Sequence, residues 1–423
     1  MVLDLAWISL AALLVVIVCS CTTNVNPGVL ALAFAWIIGV YLIGGDPKAN
    51  FRALVGGFPT DLFLTLLGVT LLFTQAQNNG TLDTVARAAV RLCRGNAGLI
   101  PVMFFALTCA IATVGAGNIA ASALISPMAM AVAHRARIPA FLMTIMVAHG
   151  SLAGALSPIT PTGIIAEEQM RKIGIVGHET AVFLHNLMAQ AAVAFAGYGL
   201  FGGWRLFRQH EPGSEDSIRA GAPRVSAEAH FRARHAVTLA AIGLLIVGAI
   251  VFRVNVGMAA LALSIGLTLG GVADEREALR KMPWGVIIMV CGVSVLTDLL
   301  RRTGGTKLFA DLIRSLSTPE TVTGVVAFFA AFVSVYASTS GVVLPAFLPL
   351  ATEVGGEPLA VASSIIVAGH LVDASPLSTI GAICVAYAAP TEDHRVLFRK
   401  VLAWGLAMVP VGAVGCYLLF RAW

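Results

Sequence analysis

Residues 155–163 read ALSPITPTG, inside a run that is otherwise apolar, from FLMTIMVAHGSLAG before it to IIA after it. Proline lacks an amide hydrogen and clashes with the preceding turn, so two prolines here interrupt a helix. Residues 374–382, ASPLSTIGA, repeat the interruption. The chain around them is 58% hydrophobic and 12% charged, about half the charge of a soluble domain. Apolar stretches of about twenty residues, enough to cross roughly 30 Å of hydrocarbon, recur from end to end. The composition reads as an all-α polytopic membrane protein. Its net charge of +5 is then an orientation signal and no sign of nucleic-acid binding.

The N-terminus, MVLDLAWISLAALLVVIVCSC, has no basic leading segment and no small-residue cleavage site, and it reads as a retained first span. The cysteines stand mostly in or beside apolar runs, and CSC at 19–21 has no His or acid near it to complete a metal site. Self-similarity organises the rest. GGDPKANFRALVGGFP (44–59) resembles GGVADEREALRKMPWG (270–285), and Pro59, Gly68 and Gly80 keep the spacing of Pro283, Gly292 and Gly304. GNIAASALISP (117–127) matches TSGVVLPAFLP (339–349), and HGSLAGALSPIT (149–160) matches HLVDASPLS (370–378) after a three-residue shortening. The order of landmarks defines a first repeat over 1–203, a polar arginine-rich linker over 204–235 and a second repeat over 236–423.

About ten spans are expected, at 4–21, 27–44, 59–77, 139–165 and 180–201, then 236–252, 257–273, 284–300, 358–389 and 399–420. Stretches 97–133 and 319–353 are apolar but interrupted by VGAGN and ASTSG, and they read as re-entrant hairpins. Segments 81–95 and 306–316, amphipathic and just before them, read as interfacial helices. Five spans per half is odd, so the two repeats are expected to be inverted. With the N-terminus outside, most of the 27 Lys and Arg residues fall inside, which favours that orientation in a cell (inner) membrane.

Irregular backbone at membrane depth is tolerated where it is buried in protein or lines a water-filled cavity. Inverted repeats with paired broken helices are the build of secondary transporters, with the site where the breaks meet. Half-helix N-termini suit a carboxylate, and hydroxyls with unwound carbonyls suit a small cation. The breaks offer Ser157, Pro158 and Thr160, and Ser375, Pro376 and Ser378 followed by Thr379. The tips offer Asn118, Thr339 and Ser340. No Lys or Arg falls in these motifs.

GNIAASALISP, GSLAGALSPITPTG, STSGVVLPAFLP and DASPLSTIGA resemble the hairpin tips and broken helices of the ion-transporter superfamily. Within it they are similar to the divalent anion/sodium symporters, most of all the malonate-carrier branch of bacterial dicarboxylate transporters. That resemblance implies a homodimer with scaffold and transport domains, an elevator motion, no enzyme activity, and no cofactor beyond coupling sodium ions. It also implies a dicarboxylate held between two sodium sites, one at Gly117, Asn118, Ala155 and Ser157, the other at Ser340, Asp373, Ala374 and Ser375. The family's Ser-Asn-Thr triplet falls on Gly117-Asn118-Ile119 and Thr339-Ser340-Gly341, so one Asn remains and three hydroxyls are lost.

Intramembrane ionisable residues are costly and commonly functional. Asp373 reads as a cation ligand or proton carrier. His149 and His370, placed alike in the repeat by the alignment above, read as proton relays or packed histidines. A proton-coupled carrier of another small anion stays open as the alternative. A hydrolase using His149 and Ser151 is the rival from another class, but no G-x-S-G or H-E-x-x-H motif supports it.

Overall fold

A computed structural model describes residues 4–23, 25–82, 84, 97–206, 232–252, 254–389 and 391–420. Among the described residues every regular element is helical. The first half runs α1 (Leu5–Thr22), α2 (Pro27–Trp36, widening into a π turn to Leu42), α3 (Pro47–Gly56) and α4 (Thr60–Asn78). Then come α5 (Leu99–Ile111), a π turn at Ala112–Ala116, α6 (Gly117–Arg135), α7 (Ala140–Gly154), α8 (Pro161–Lys172) and α9 (Glu179–Leu200). The second half repeats the order with α10 (Ala233–Val251), α11 (Val256–Leu269), α12 (Glu275–Lys281), α13 (Trp284–Arg302), α14 (Gly305–Ser315) and α15 (Val322–Ser334). It closes with α16 (Thr339–Thr352, wound as π, α and 3₁₀ turns), α17 (Pro358–Leu371), α18 (Thr379–Ala386) and α19 (His394–Phe420).

Five described helical stretches are long and apolar enough to cross a membrane, or six when the bent pair α3–α4 counts as one. Seven further apolar helices have 10–17 residues. The expected segment 306–316 is α14. The other amphipathic segment and most of the linker lie outside the described residues.

Two bundles result. In one, α2 packs on α13 and α11 on α4. Gly28 meets Gly292 backbone to backbone, and Gly68 meets Gly257 in the same way. Gln75 of α4 fixes that second crossing by donating to Thr268 Oγ1 at 3.0 Å. In the other bundle, α7 is flanked by α5, α6 and α9, and α17 by α15, α19 and α9.

The direction of each limb follows from its neighbours. Gly150 and Gly154 of α7 face Phe105 and Cys109 of α5, so α5 and α7 run parallel. The tight turn at 136–139 and the 2.8 Å contact of Ser122 with Ser151 make α6 antiparallel to α7. The chain therefore doubles back at Ala112–Ala116, and Gly115 and Gly117 make the reversal at φ 117° and 78°, where a side chain is strained. Thr339 lies against Gly369 near the end of α17, and α15 doubles back into α16 in the same manner.

One expectation is corrected here. α7 and α17 begin, their Ser-Pro turns follow, and α8 and α18 begin, all at a constant separation between the halves. No three-residue shortening exists, so His149 and His370 are not equivalent positions. Register is set by the helix starts and the proline turns, whereas the expected gap came from aligning two histidines. His149 is a packed histidine whose ring nitrogens are both used. Trp404 Nε1 donates to Nε2 at 2.8 Å, leaving Nδ1 to donate to Gln190 Oε1 at 2.6 Å. His370 donates from Nδ1 to the Ile366 carbonyl at 2.7 Å.

Candidate functional site

Each break is a β-turn with proline at its corner. Thr160 N donates to the Ser157 carbonyl at 2.9 Å, and Ser378 N to the Ser375 carbonyl at 3.0 Å. Proline's fixed φ suits the second position of such a turn. Pro158 and Pro376 thus interrupt the helix and let a new one start within four residues. The turn carbonyl folds over that start. A Cβ on Gly163 would lie 2.0 Å from Ser157 O, and one on Gly381 would lie 2.2 Å from Ser375 O. Only glycine fits beneath either carbonyl.

The bends close on these turns. Gly115 and Gly117 lie against Ile159 and Pro161, so the first bend meets the first break. At the second junction Thr339 Oγ1 stands 2.8 and 2.9 Å from the two carboxylate oxygens of Asp373 and 3.2 Å from the Gly369 carbonyl. Ser334 Oγ also hydrogen-bonds Thr339 and lies 3.5 Å from Asp373 Oδ1. A hydroxyl has one proton to give. Two hydroxyls among these acceptors leave the junction rich in oxygen and short of donors, which draws a cation or a proton.

Between the bends, the breaks and α4 lies a cavity of about 390 Å³. Of the residues singled out in the sequence, Gly117, Asn118, Thr339, Ser340, Asp373, Ser378 and Thr379 line it. Ala155, Ser157, Pro158, Thr160, Ala374, Ser375 and Pro376 do not; they form the turns behind it. Thr160 is fully buried, its hydroxyl bonded to the carbonyls of Ala155 and Ser157 while accepting from Gly163 N at 3.0 Å. Its role is that of an N-cap.

Sequence reasoning missed the α4 wall, where Thr70, Thr74 and Gln77 face the cavity. Their spacing of i, i+4 and i+7 in an apolar helix is a polar stripe that could have been read. Thr162 and Lys281 were also passed over. Thr162 lies 3.4 Å from Ser340 across the cavity. Lys281 is the one Lys or Arg among the described lining residues, exposed and bonded to Glu277 and Asn78 at 2.6 and 3.2 Å.

A second cavity of about 470 Å³ lies where the end of α8 meets α13. Gln169 donates to Ser294 Oγ at 2.9 Å there. Its charges largely pair with one another, Arg171 with Glu168 at 2.7 Å and both Arg301 and Arg302 with Asp298. Asp61 lines this second cavity.

Residues 1–155 match the family model described as the N-terminus of the dicarboxylate carrier protein MatC. No curated protein matches the chain. Among solved structures it is similar to the YdaH transporter of Alcanivorax borkumensis, with a TM-score of 0.56 and 15% identity over 97% of both chains. It is also similar to MtrF of Neisseria gonorrhoeae, from a class of antimetabolite efflux pumps, with a TM-score of 0.56 and 11% identity over 97% of this chain and 94% of that one. At such identities these two neighbours speak for the fold alone. The chain thus has several helices apolar enough to cross a membrane and the fold of these two transporters, and its first 155 residues are similar to the N-terminus of the MatC dicarboxylate carriers.

Proposed function

We propose that this chain is a secondary active transporter that imports a small dicarboxylate, malonate foremost, by symport with a cation, sodium first. One observation carries the reading. Four helices, α6, α8, α16 and α18, begin at the wall of a single cavity. Each helix start carries roughly half a positive charge, so four offset about two negative charges. A dianion is thus balanced without an arginine clamp.

Reciprocal crossings of α2 with α13 and α11 with α4 support two inverted repeats, with α5–α6 and α15–α16 as re-entrant hairpins. The bundle of α5–α9 and α15–α19 is then the transport domain, sliding as an elevator against α1–α4 and α10–α14, in a homodimer of an inner membrane. With the N-terminus outside, the Lys281 edge of the cavity faces the cytoplasm. Asp373 supports a second coupling, by protons, because its carboxylate lines the cavity and its partners among the described residues are hydroxyls.

The test is labelled malonate uptake into liposomes at constant pH, with and without an inward sodium gradient. Accumulation that requires sodium is expected. Uptake that ignores sodium and follows a pH gradient moves the coupling to Asp373 protonation, and no uptake of any dicarboxylate sinks the substrate.

A further inference from the structure

The two Ser-Pro turns lead into helices whose first turns differ. At α8 the first residue is Pro161, which has no N–H, and Thr160 occupies the N–H of Gly163. At α18 the equivalent residues are Thr379 and Gly381, and Ser378 makes no side-chain cap bond, its hydroxyl donating only to the Asp373 carbonyl. The N–H groups of Thr379, Ile380 and Gly381 accordingly have no acceptor among the described residues. Thr379 and Ile380 line the cavity.

α6 packs on α18, with Ser126 in contact with Cys384 at 3.3 Å, and α6 brings Asn118 to the same cavity. Asn118 is 9% exposed. Its Oδ1 accepts from Ile119 N at 3.0 Å, and its amide nitrogen donates to no described residue. An amide that lines the cavity and has no partner among the described residues is free to donate to an acceptor bound there. Three free N–H groups at a helix start are a seat for an oxyanion.

We propose that the transported anion is held off centre, with one carboxylate on the Thr379–Ile380–Gly381 amides of α18 and the Asn118 side-chain amide donating to it. The first break, closed by Pro161 and Thr160, supplies the turn and leaves only Thr162 N–H open. This rests on the anion-carrier reading above and adds where the charge sits.

Thr379→Pro tests it, because it copies the residue at the equivalent place of α8. Proline suits the first position of a helix, and Ser378 already has the extended backbone, φ −91° and ψ 160°, that proline requires before it. Binding of radiolabelled malonate to the purified full-length protein is measured in saturating sodium. Since hydrogen bonds to charged groups are the strong ones, Thr379→Pro and Asn118→Ala are each expected to weaken binding about tenfold or more, and Ser340→Ala less than about threefold. Wild-type affinity in Thr379→Pro, or equal losses for Asn118→Ala and Ser340→Ala, overturns the off-centre seat while leaving the carrier reading intact. Wild-type protein that binds neither malonate nor succinate overturns the carrier reading itself. If Thr379→Pro does not fold, the contrast of Asn118→Ala with Ser340→Ala makes the same decision.

Discussion

The two breaks share a frame and differ in chemistry. Both are Ser-Pro turns whose carbonyl lies over a glycine six residues on, and both are met by a doubled-back limb. Yet the first is sealed by its own threonine and proline, while the second keeps a carboxylate, Asp373, where the first has Ala155. The two turns thus share the backbone that makes a discontinuous helix possible and differ in the polar groups around it.

The shared frame makes the largest prediction. Gly163→Ala and Gly381→Ala each drive a Cβ into a backbone carbonyl that cannot move without opening the turn. Each is expected to cost about 3 kcal/mol or more, seen as a lowered thermal unfolding temperature in detergent. A large loss at one glycine and none at the other would break the equivalence of the two turns.

The divergence makes the next. Asp373→Asn keeps the shape and removes the charge, and uptake is expected to fall by about tenfold to a hundredfold, the range of a charged hydrogen-bonding partner. Ala155→Asp in that variant is not expected to restore it, because the first junction has Gly117 where the second has Thr339. Restoration would show that the two junctions are interchangeable.

Smaller effects sharpen the same contrast. Thr160→Val removes a working N-cap and is expected to cost about 1–2 kcal/mol. Ser378→Ala, which loses no cap bond, is expected to cost less than about 1 kcal/mol, and thermal unfolding measures both. Lys281→Gln, an exposed ion pair at the edge of the cavity, is expected to change the KM for malonate by less than about threefold.

Much of this was legible in the sequence. ALSPITPTG and ASPLSTIGA announce two breaks because proline's covalent geometry acts locally, and GAGN with STSG announces the bends for the same reason. Cavity residues on those motifs, Asn118, Thr339, Ser340 and Asp373, could be named in advance. What stayed hidden depended on partners distant in the chain. The α4 wall faces the site only because Gly68 meets Gly257, and Thr160 is a cap only because the turn brings its hydroxyl to Gly163. The histidines misled because similar letters were aligned across a gap that the backbone does not have.

The central claim is that the cavity between the bends and breaks is where the anion is carried. Its most direct test is protection of a single cysteine, Ser340→Cys, in a protein whose native cysteines are replaced. With sodium present and malonate at about ten times its Kd, alkylation is expected to slow about tenfold, as occupancy dictates. Malonate that is transported yet leaves the alkylation rate of that cysteine unchanged would place the substrate elsewhere and contradict the account.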